Sequence, residues 1–329
     1  MIRHSRFYVI ATATTLFLIV MPLIISRFSI AHIPRLLERE NSGIQYTNIT
    51  SASTIYLPKV VLPEYFNSDN EKFRCKMTKV MKMTFPVCLY TAETDVPITE
   101  WMLRGIYFEK SYVIHFIRLL RRHPRLQFVD IGANIGIYSL PIARVTQVVA
   151  VEPNWRSMSR LAKAVRLGEV NSKITLVHNA VSNVRATLNI GVHPTNQGVS
   201  FLINATDCNK TAVLFPCNTL SSTKTILLND LLPLMQSNAA VLKVDVEGHE
   251  VNVFTNPSAG QFFDHINIPV VFMEWILCKK HPKNTVLRLI DFFYSRNYTV
   301  FNLKNIKLHR HYKRWPGNVM FKKFPHIVF

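Results

Sequence analysis

Acidic residues are scarce in this sequence: 20 Asp and Glu stand against 39 Lys and Arg in 329 residues, a net charge of +19. Such an excess attracts polyanions, but the usual companions of nucleic-acid binding are missing. There is no RNP motif, zinc-finger spacing or helix-turn-helix signature, so no nucleic-acid partner is expected. Internal repeats and long low-complexity tracts are also absent, which excludes a repeat array. Glycine is missing where a dinucleotide would need it. The turn at 130–136 carries Gly132 and Gly136, but Asn134 stands at the second glycine position of G-x-G-x-x-G and the third glycine falls one residue early. Pyrophosphate binding, and with it dehydrogenase chemistry, is thereby disfavoured. No second His or Cys stands at ligand spacing around the acids of 245–250, so no metal is expected.

The amino terminus supplies what the rest lacks, a long uncharged apolar run. "FYVIATATTLFLIVMPLIIS", residues 7–26, lies between Arg6 and Arg27 and is long enough to cross a bilayer. With Arg3, His4 and Arg6 before it, the positive-inside rule keeps tail 1–6 cytosolic and sends the rest across. The expectation is a single-pass type II membrane protein of the Golgi or endoplasmic reticulum: a signal anchor at 7–26, a lumenal stem and lead-in at 27–95, and a catalytic domain at 96–329. Cleavage as a signal peptide followed by secretion, and the opposite orientation, are the alternatives. N-x-[ST] sequons at Asn48, Asn204 and Asn209 fit a lumenal domain, whereas the one at Asn297, next to an expected strand, is expected to stay unmodified. Asn204 and Asn209 share one polar insertion at 203–219. Of five cysteines, Cys75 and Cys88 flank one short segment, Cys208 and Cys217 flank the insertion, and Cys278 is left over. Local pairs suit an oxidising compartment, although spacing does not assign the pairing.

From residue 126 the chain alternates apolar strands with helical segments. "LQFVD" (126–130) ends in Asp130 and meets the small-residue turn Gly132, Ala133, Asn134, Gly136; "QVVAVE" (147–152) ends in Glu152. "ITLVHNAVS" (174–182) runs into Asn179; "AAVLKVDVEGHEVNVF" (239–254) crowds Asp245, Glu247, His249 and Glu250 at a strand end; "IPVVFMEW" (268–275) reaches Glu274. Helices are expected at 155–168, 248–256 and 283–296, and a further one across 98–124, where Ile114, Ile117 and Leu120 recur at helical spacing. The pattern predicts an α/β, Rossmann-like, doubly wound and mostly parallel sheet, closed by an antiparallel pair from "YTVFNL" and "NVMFKKF". In such sheets ligands bind beyond the carboxyl ends of the strands, where these acids fall. Glycine tolerates positive φ and close approach of a ligand or another backbone; Asn134 is the non-glycine residue best suited to the left-handed region. A turn without phosphates to cradle, followed by an acid that can take a ribose diol, suits S-adenosylmethionine. An ordinary βα turn is the plain alternative.

"VDIGANIGIYSL", "VVAVEPN", "HNAVS" and "LKVDVEGHE" together resemble the motif series of the FkbM-type methyltransferases, over roughly residues 95–325. The resemblance implies a class I methyltransferase fold and S-adenosylmethionine-dependent O-methyl transfer. It implies cofactor contacts from Asp130, Gly132, Ala133, Asn134, Gly136, Glu152 and Asn179, with Asp245 facing the transferring methyl. Asp245, His249 and Glu250 are then the candidates for proton handling. Gly105 and Glu109 match the family's lead-in, and Glu109 is either near the cofactor pocket or a solvated helix carboxylate. "LLNDLL" departs from the family's "LDDLL" through Asn229. The expected acceptor is a glycan or another small hydroxyl compound, anionic or neutral, and the expected membrane contact is the amino-terminal helix. The competing reading is a membrane-anchored, non-catalytic binding or scaffold protein that retains the fold.

Overall fold

Four short apolar runs build the centre of a parallel sheet: β4 (Gln127–Ile131), β5 (Val148–Val151), β6 (Ile174–Val177) and β11 (Ala239–Val244). β12 (Asn267–Glu274) extends it, and β13 (Tyr298–Phe301) and β14 (Asn318–Lys323) close it. With β1 (Val60–Val61) at one edge, the order is β1-β6-β5-β4-β11-β12-β14-β13. β1 and β14 run antiparallel to their neighbours, so the expected antiparallel closure is present. In this computed structural model residues 58–62, 73–193, 196–203, 218–309 and 311–323 are described, all within one unit, Gly43–Phe329. The expected span 7–26, the sequons at Asn48, Asn204 and Asn209, and the Cys208 and Cys217 pair lie outside the described residues. Among those described, no helix is long and apolar enough to cross a membrane.

Both faces of the sheet are covered, so its strands read as nearly continuous apolar runs. Alternate side chains serve opposite layers. Phe128, Val241, Val270, Phe272 and Met320 enter one core, with α1 (Lys110–Arg122), α2 (Ser139–Ala143) and α3 (Trp155–Leu167). Val129, Ile131, Leu242, Val244, Met273 and Phe321 enter the other, with α4 (Glu250–Phe254), α5 (Pro257–His265) and α6 (Lys283–Tyr294). In the first layer Phe116 meets Phe128, Tyr138 and Phe272 at centroid distances of 5.6, 6.0 and 5.4 Å. Each such contact adds about 0.5–1.5 kcal/mol to area burial. α3 and α5 start on side-chain caps, Asn154 accepting from the Arg156 amide at 3.0 Å and Asn256 from the Ser258 amide at 2.9 Å.

Three elements differ from the sequence expectation. The helix over 98–124 is interrupted: Val96–Glu100 and Trp101–Leu103 form a short helical lead-in, and α1 begins only at Lys110. Gly105 at φ 82° and Glu109 at φ 50° turn the chain between them. The helix expected at 248–256 is present as the shorter α4, and an unexpected helix, α5, follows it where Asn256 and Pro257 restart the chain. The insertion before β11 is much larger than 203–219. It is a second sheet of β7 (Ala180–Val181), β8 (Thr187–His193), β9 (Asn196–Ile203) and β10 (Asn218–Ile226), ordered β7-β10-β8-β9. A separate hairpin, β2 (Arg74–Val80) and β3 (Met83–Leu89), places Cys75 opposite Cys88 and joins them by a disulfide.

Candidate active site

The first crossovers run from β4 through β5 to β6, and β11 then pairs on the other side of β4. The order of strands therefore reverses beside β4, and a crevice opens at the carboxyl ends there. The cleft at this point holds about 830 Å³ of atom-free space, counting the open solvent at its mouth. Its walls include Ile137, Val151 and Pro153 from the main sheet and its crossovers and Val181, Ile190, Gly198 and Phe201 from the inserted sheet.

One wall is the small-residue turn. Gly132 has φ 84°, and a Cβ there would lie 1.8 Å from the carbonyl oxygen of Asp245. The close approach that glycine permits is thus to the backbone leaving β11. Gly136, at φ 90°, faces away from the cleft, and a Cβ would meet Leu161 at 2.5 Å. Asn134 takes the left-handed conformation, φ 50°. Its side chain donates to the Gly198 carbonyl at 3.1 Å and accepts from the Ile135 amide at 2.8 Å and Ser157 Oγ at 3.1 Å. The turn is thereby fastened to the inserted sheet and to α3. The Gly132 and Ala133 amides both donate to the Val151 carbonyl, at 2.9 and 3.0 Å.

Glu152 directly follows β5 and is bonded to this turn. Its two oxygens accept from the amides of Asn134 at 2.8 Å and Asn154 at 2.7 Å. Burial raises its carboxyl to about 7, with those two amides pulling the other way. A carboxylate has about four acceptor positions, and two are used by these amides. Glu152 therefore retains acceptor capacity where it borders the cleft.

Lys243 organises the opposite wall. It is buried on β11 at 2% exposure, and its Nζ sits 3.1 Å from Asp130 and 3.6 Å from Asp245. It also donates to the Gly132 carbonyl at 3.0 Å. Burial alone would push the ammonium down; Asp130 and Asp245 outweigh that and hold it above its usual range. Asp130 is further bonded by Ser139 Oγ at 2.7 Å and does not line the cleft; Asp245 does, with 30% of its side chain exposed. Glu109 also lines the cleft, accepting from Tyr138 Oη at 2.6 Å. Burial, then the charge of Asp245, raises it to about 7.

The expected residues fall into two groups. Gly132, Ala133, Asn134, Glu152, Asn179, Asp245 and His249 border the cleft; Asp130, Gly136 and Glu250 do not. Asn179 is engaged on both sides of its amide, accepting from Lys59 N–H at 2.6 Å and donating to the Lys224 carbonyl at 3.0 Å. His249 Nε2 lies 2.9 Å from Ser182 Oγ. Burial, then His281, lowers it to about 4, so it is neutral at ordinary pH. Glu250 turns inward, accepting from the Val246 and Gly248 amides at 3.0 and 3.2 Å, and so holds the turn between β11 and α4. Sequence reasoning missed Lys243 and Tyr138. Asp245, Glu250 and Glu274, separated in sequence without metal-ligand spacing, each offer an oxygen within 4.8 Å of the others. These come from two strands and a helix start, and an all-carboxylate set suits hard cations.

The sequence profile of the methyltransferase FkbM domain matches residues 130–300. No curated protein matches the chain. Among solved structures, a methyltransferase FkbM from Methylobacillus flagellatus KT is similar at 16% identity and a TM-score of 0.38, over 60% of this chain and 43% of that one. Precorrin-6y C5,15-methyltransferase from Geobacter metallireducens GS-15 is similar at 12% identity and 0.34, over 66% of this chain and 89% of that one. The 16S rRNA N2 G1207 methyltransferase of T. thermophilus, solved with AdoMet and guanosine, is similar at 14% identity and 0.34, over 76% and 50%. This chain thus spans less than half the length of the first of these structures.

Proposed function

The chain belongs to the methyltransferase FkbM domain family, and on that premise we propose that it is an S-adenosylmethionine-dependent O-methyltransferase working in the cleft beside β4. The observation that carries this reading is Glu152: a buried carboxylate, fixed by two backbone amides, with acceptor positions left over at a strand end bordering the cleft. It would hold the ribose diol. The 132–134 turn would lie along the methionine end, and the apolar cleft walls would hold the adenine. When bound, the cofactor supplies a methyl group already activated on a sulfonium.

The chain's own residues then have three tasks. Residues of the turn and Glu152 orient the cofactor, and positioning of this kind accounts for up to about 7–11 kcal/mol of barrier. The inserted sheet, through Ile190 and Phe201, keeps water from the cleft. A side chain bordering the cleft takes the acceptor's proton. Asp245 is the leading candidate because it is the part-exposed acid there; neutral His249 and the buried Glu109 are the next two.

The same proposal extends to setting. A glycan hydroxyl is the acceptor, the 7–26 span anchors the chain as a single-pass type II protein of the Golgi or endoplasmic reticulum, and the catalytic domain is lumenal. Support comes from the charge flank of the span, the sequons and the Cys75–Cys88 disulfide, which suits an oxidising compartment. Calorimetric titration of the full chain with S-adenosylmethionine tests the cofactor, and labelled methyl transfer to a glycan panel read by mass spectrometry tests the acceptor. Binding without transfer to any hydroxyl compound would favour the scaffold reading. No binding at all removes both the cofactor assignment and the enzyme.

A further inference from the structure

The basic excess is concentrated toward the carboxyl terminus. Residues 275–329 contain twelve Lys and Arg and a single acid, Asp291. Topology decides where they go. β14 is antiparallel to β12, and β13 is antiparallel to β14. The ends of β12 and β13 and the start of β14 therefore share the sheet edge on which the cleft opens. Two segments leave the sheet at this edge: 275–283 after β12, and 302–317 between β13 and β14.

These segments are fastened to each other. The Trp275 amide donates to the Gly317 carbonyl at 2.6 Å, and the Trp275 indole to the Tyr312 carbonyl at 3.0 Å. Trp275 and Trp315 pack at 4.7 Å, the Trp315 indole donates to the His309 carbonyl at 2.6 Å, and Lys279 Nζ donates to the Trp315 carbonyl. Tyr312 and Trp315 are buried. Above this apolar footing Lys280, Lys283, Lys304, Lys307, Lys313 and Arg314 are exposed, and none ion-pairs with a carboxylate among the described residues. The footing adjoins the acidic side of the site, because Glu274 at the end of β12 is the register partner of Asn318. Like charges gathered on two linked segments repel each other, and a multivalent anion relieves that repulsion.

We propose that this platform holds the sulfate groups of an anionic glycan acceptor while one of its hydroxyls reaches the cleft. The inference rests on the methyltransferase reading for the hydroxyl, and on the platform alone for the anion. A lipid surface would supply the same negative charge. Membrane-lying faces combine basic residues with several inserted apolar side chains, whereas Ile306, at 57%, is the one exposed large hydrophobe of these segments among the described residues.

The test uses the full chain in detergent, with a fluorescent sulfated heparin oligosaccharide and its desulfated form as probes. Lys313→Glu combined with Arg314→Glu should weaken binding of the sulfated probe about tenfold, in the manner of lost charge steering, and the effect should shrink as salt rises. Lys79→Glu with Lys82→Glu, exposed on the separate β2–β3 hairpin, should leave it unchanged. Equal losses from both pairs would mean diffuse charge and overturn the proposal, as would equal affinity for the desulfated probe. It is also overturned if the platform variant keeps oligosaccharide binding and instead loses preference for phosphatidylserine vesicles over neutral ones. S-adenosylmethionine titration of the same samples separates the two claims. A wild type that binds the oligosaccharide through the platform but not the cofactor removes the methyltransferase reading and leaves the anion site.

Discussion

Glu152 joins the proposed cofactor position to a proton. Its carboxyl is raised to about 7 by burial, and only the ionised form accepts from both hydroxyls of a diol without spending a position on its own proton. S-adenosylmethionine affinity should therefore rise as pH increases through about 7. Glu152→Gln should lower the affinity at pH 8 by roughly tenfold, as for loss of a charge-assisted hydrogen bond of about 1.5–3 kcal/mol, and flatten the pH profile. A variant that binds as well as wild type, with the same profile, would put the ribose elsewhere. Asp245 tests the other half of the reaction. It borders the cleft while bound electrostatically to Lys243 at 3.6 Å. Asn keeps the shape but cannot take a proton, so Asp245→Asn should lower turnover by ~10²–10⁴-fold with cofactor affinity nearly unchanged. If affinity falls and turnover at saturation survives, Asp245 orients the cofactor and Glu109 or His249 becomes the proton acceptor.

At the level of elements, the 130–136 turn is a joint between strands as much as a wall of the cleft. Because a Cβ on Gly132 would fall 1.8 Å from the Asp245 carbonyl oxygen at positive φ, Gly132→Ala should destabilise the domain by on the order of 4 kcal/mol. Thermal melting without ligand would show it; an unchanged melting temperature would mean the two backbones separate freely. Substitution here thus reports on packing before it reports on ligand binding, a distinction invisible in the sequence, where the glycine fits either use. The strand ends were legible because apolar runs stop abruptly at Asp130, Glu152, Asp245 and Glu274, and the antiparallel closure because two β-rich segments follow the last helix. Lys243 was not legible: a lysine within a strand usually points to water, and only pairing of β4 with β11 sets it between Asp130 and Asp245. Glu109 was ambiguous because the left-handed bend that turns it toward Tyr138 interrupts what reads as a continuous amphipathic helix. β8 and β9 escaped notice because they alternate weakly and pair locally, with no helix between them to mark a crossover.

For the whole molecule, buried titrating groups set opposite limits on stability. Glu109, Glu152 and Glu250 are each raised to about 7; the stability they contribute is complete below their unfolded values near 4.5 and is lost as pH rises through 7. His178 and His249 are lowered to about 4; their contribution is complete above about 6.5 and is lost as pH falls through 4. Melting temperature should therefore peak on the mildly acidic side, at about pH 5–6, and a scan of melting temperature against pH that peaks above 8 would contradict these burials. The order of strands also governs how the chain reaches this state. Residue 127 on β4 pairs with residue 240 on β11, and the whole inserted sheet lies between them in sequence. Lengthening that loop costs little at equilibrium, about 0.6 kcal/mol for each doubling, but it costs time. As the chain leaves the ribosome, β4, β5 and β6 can assemble while the inner edge of β4 is still open and the second apolar layer has no helices over it. This half-sheet must wait for residues beyond 240, exposing an edge that invites pairing with other chains. The long parallel crossover that creates the cleft thus also makes the newborn chain dependent on protection until its second half has emerged.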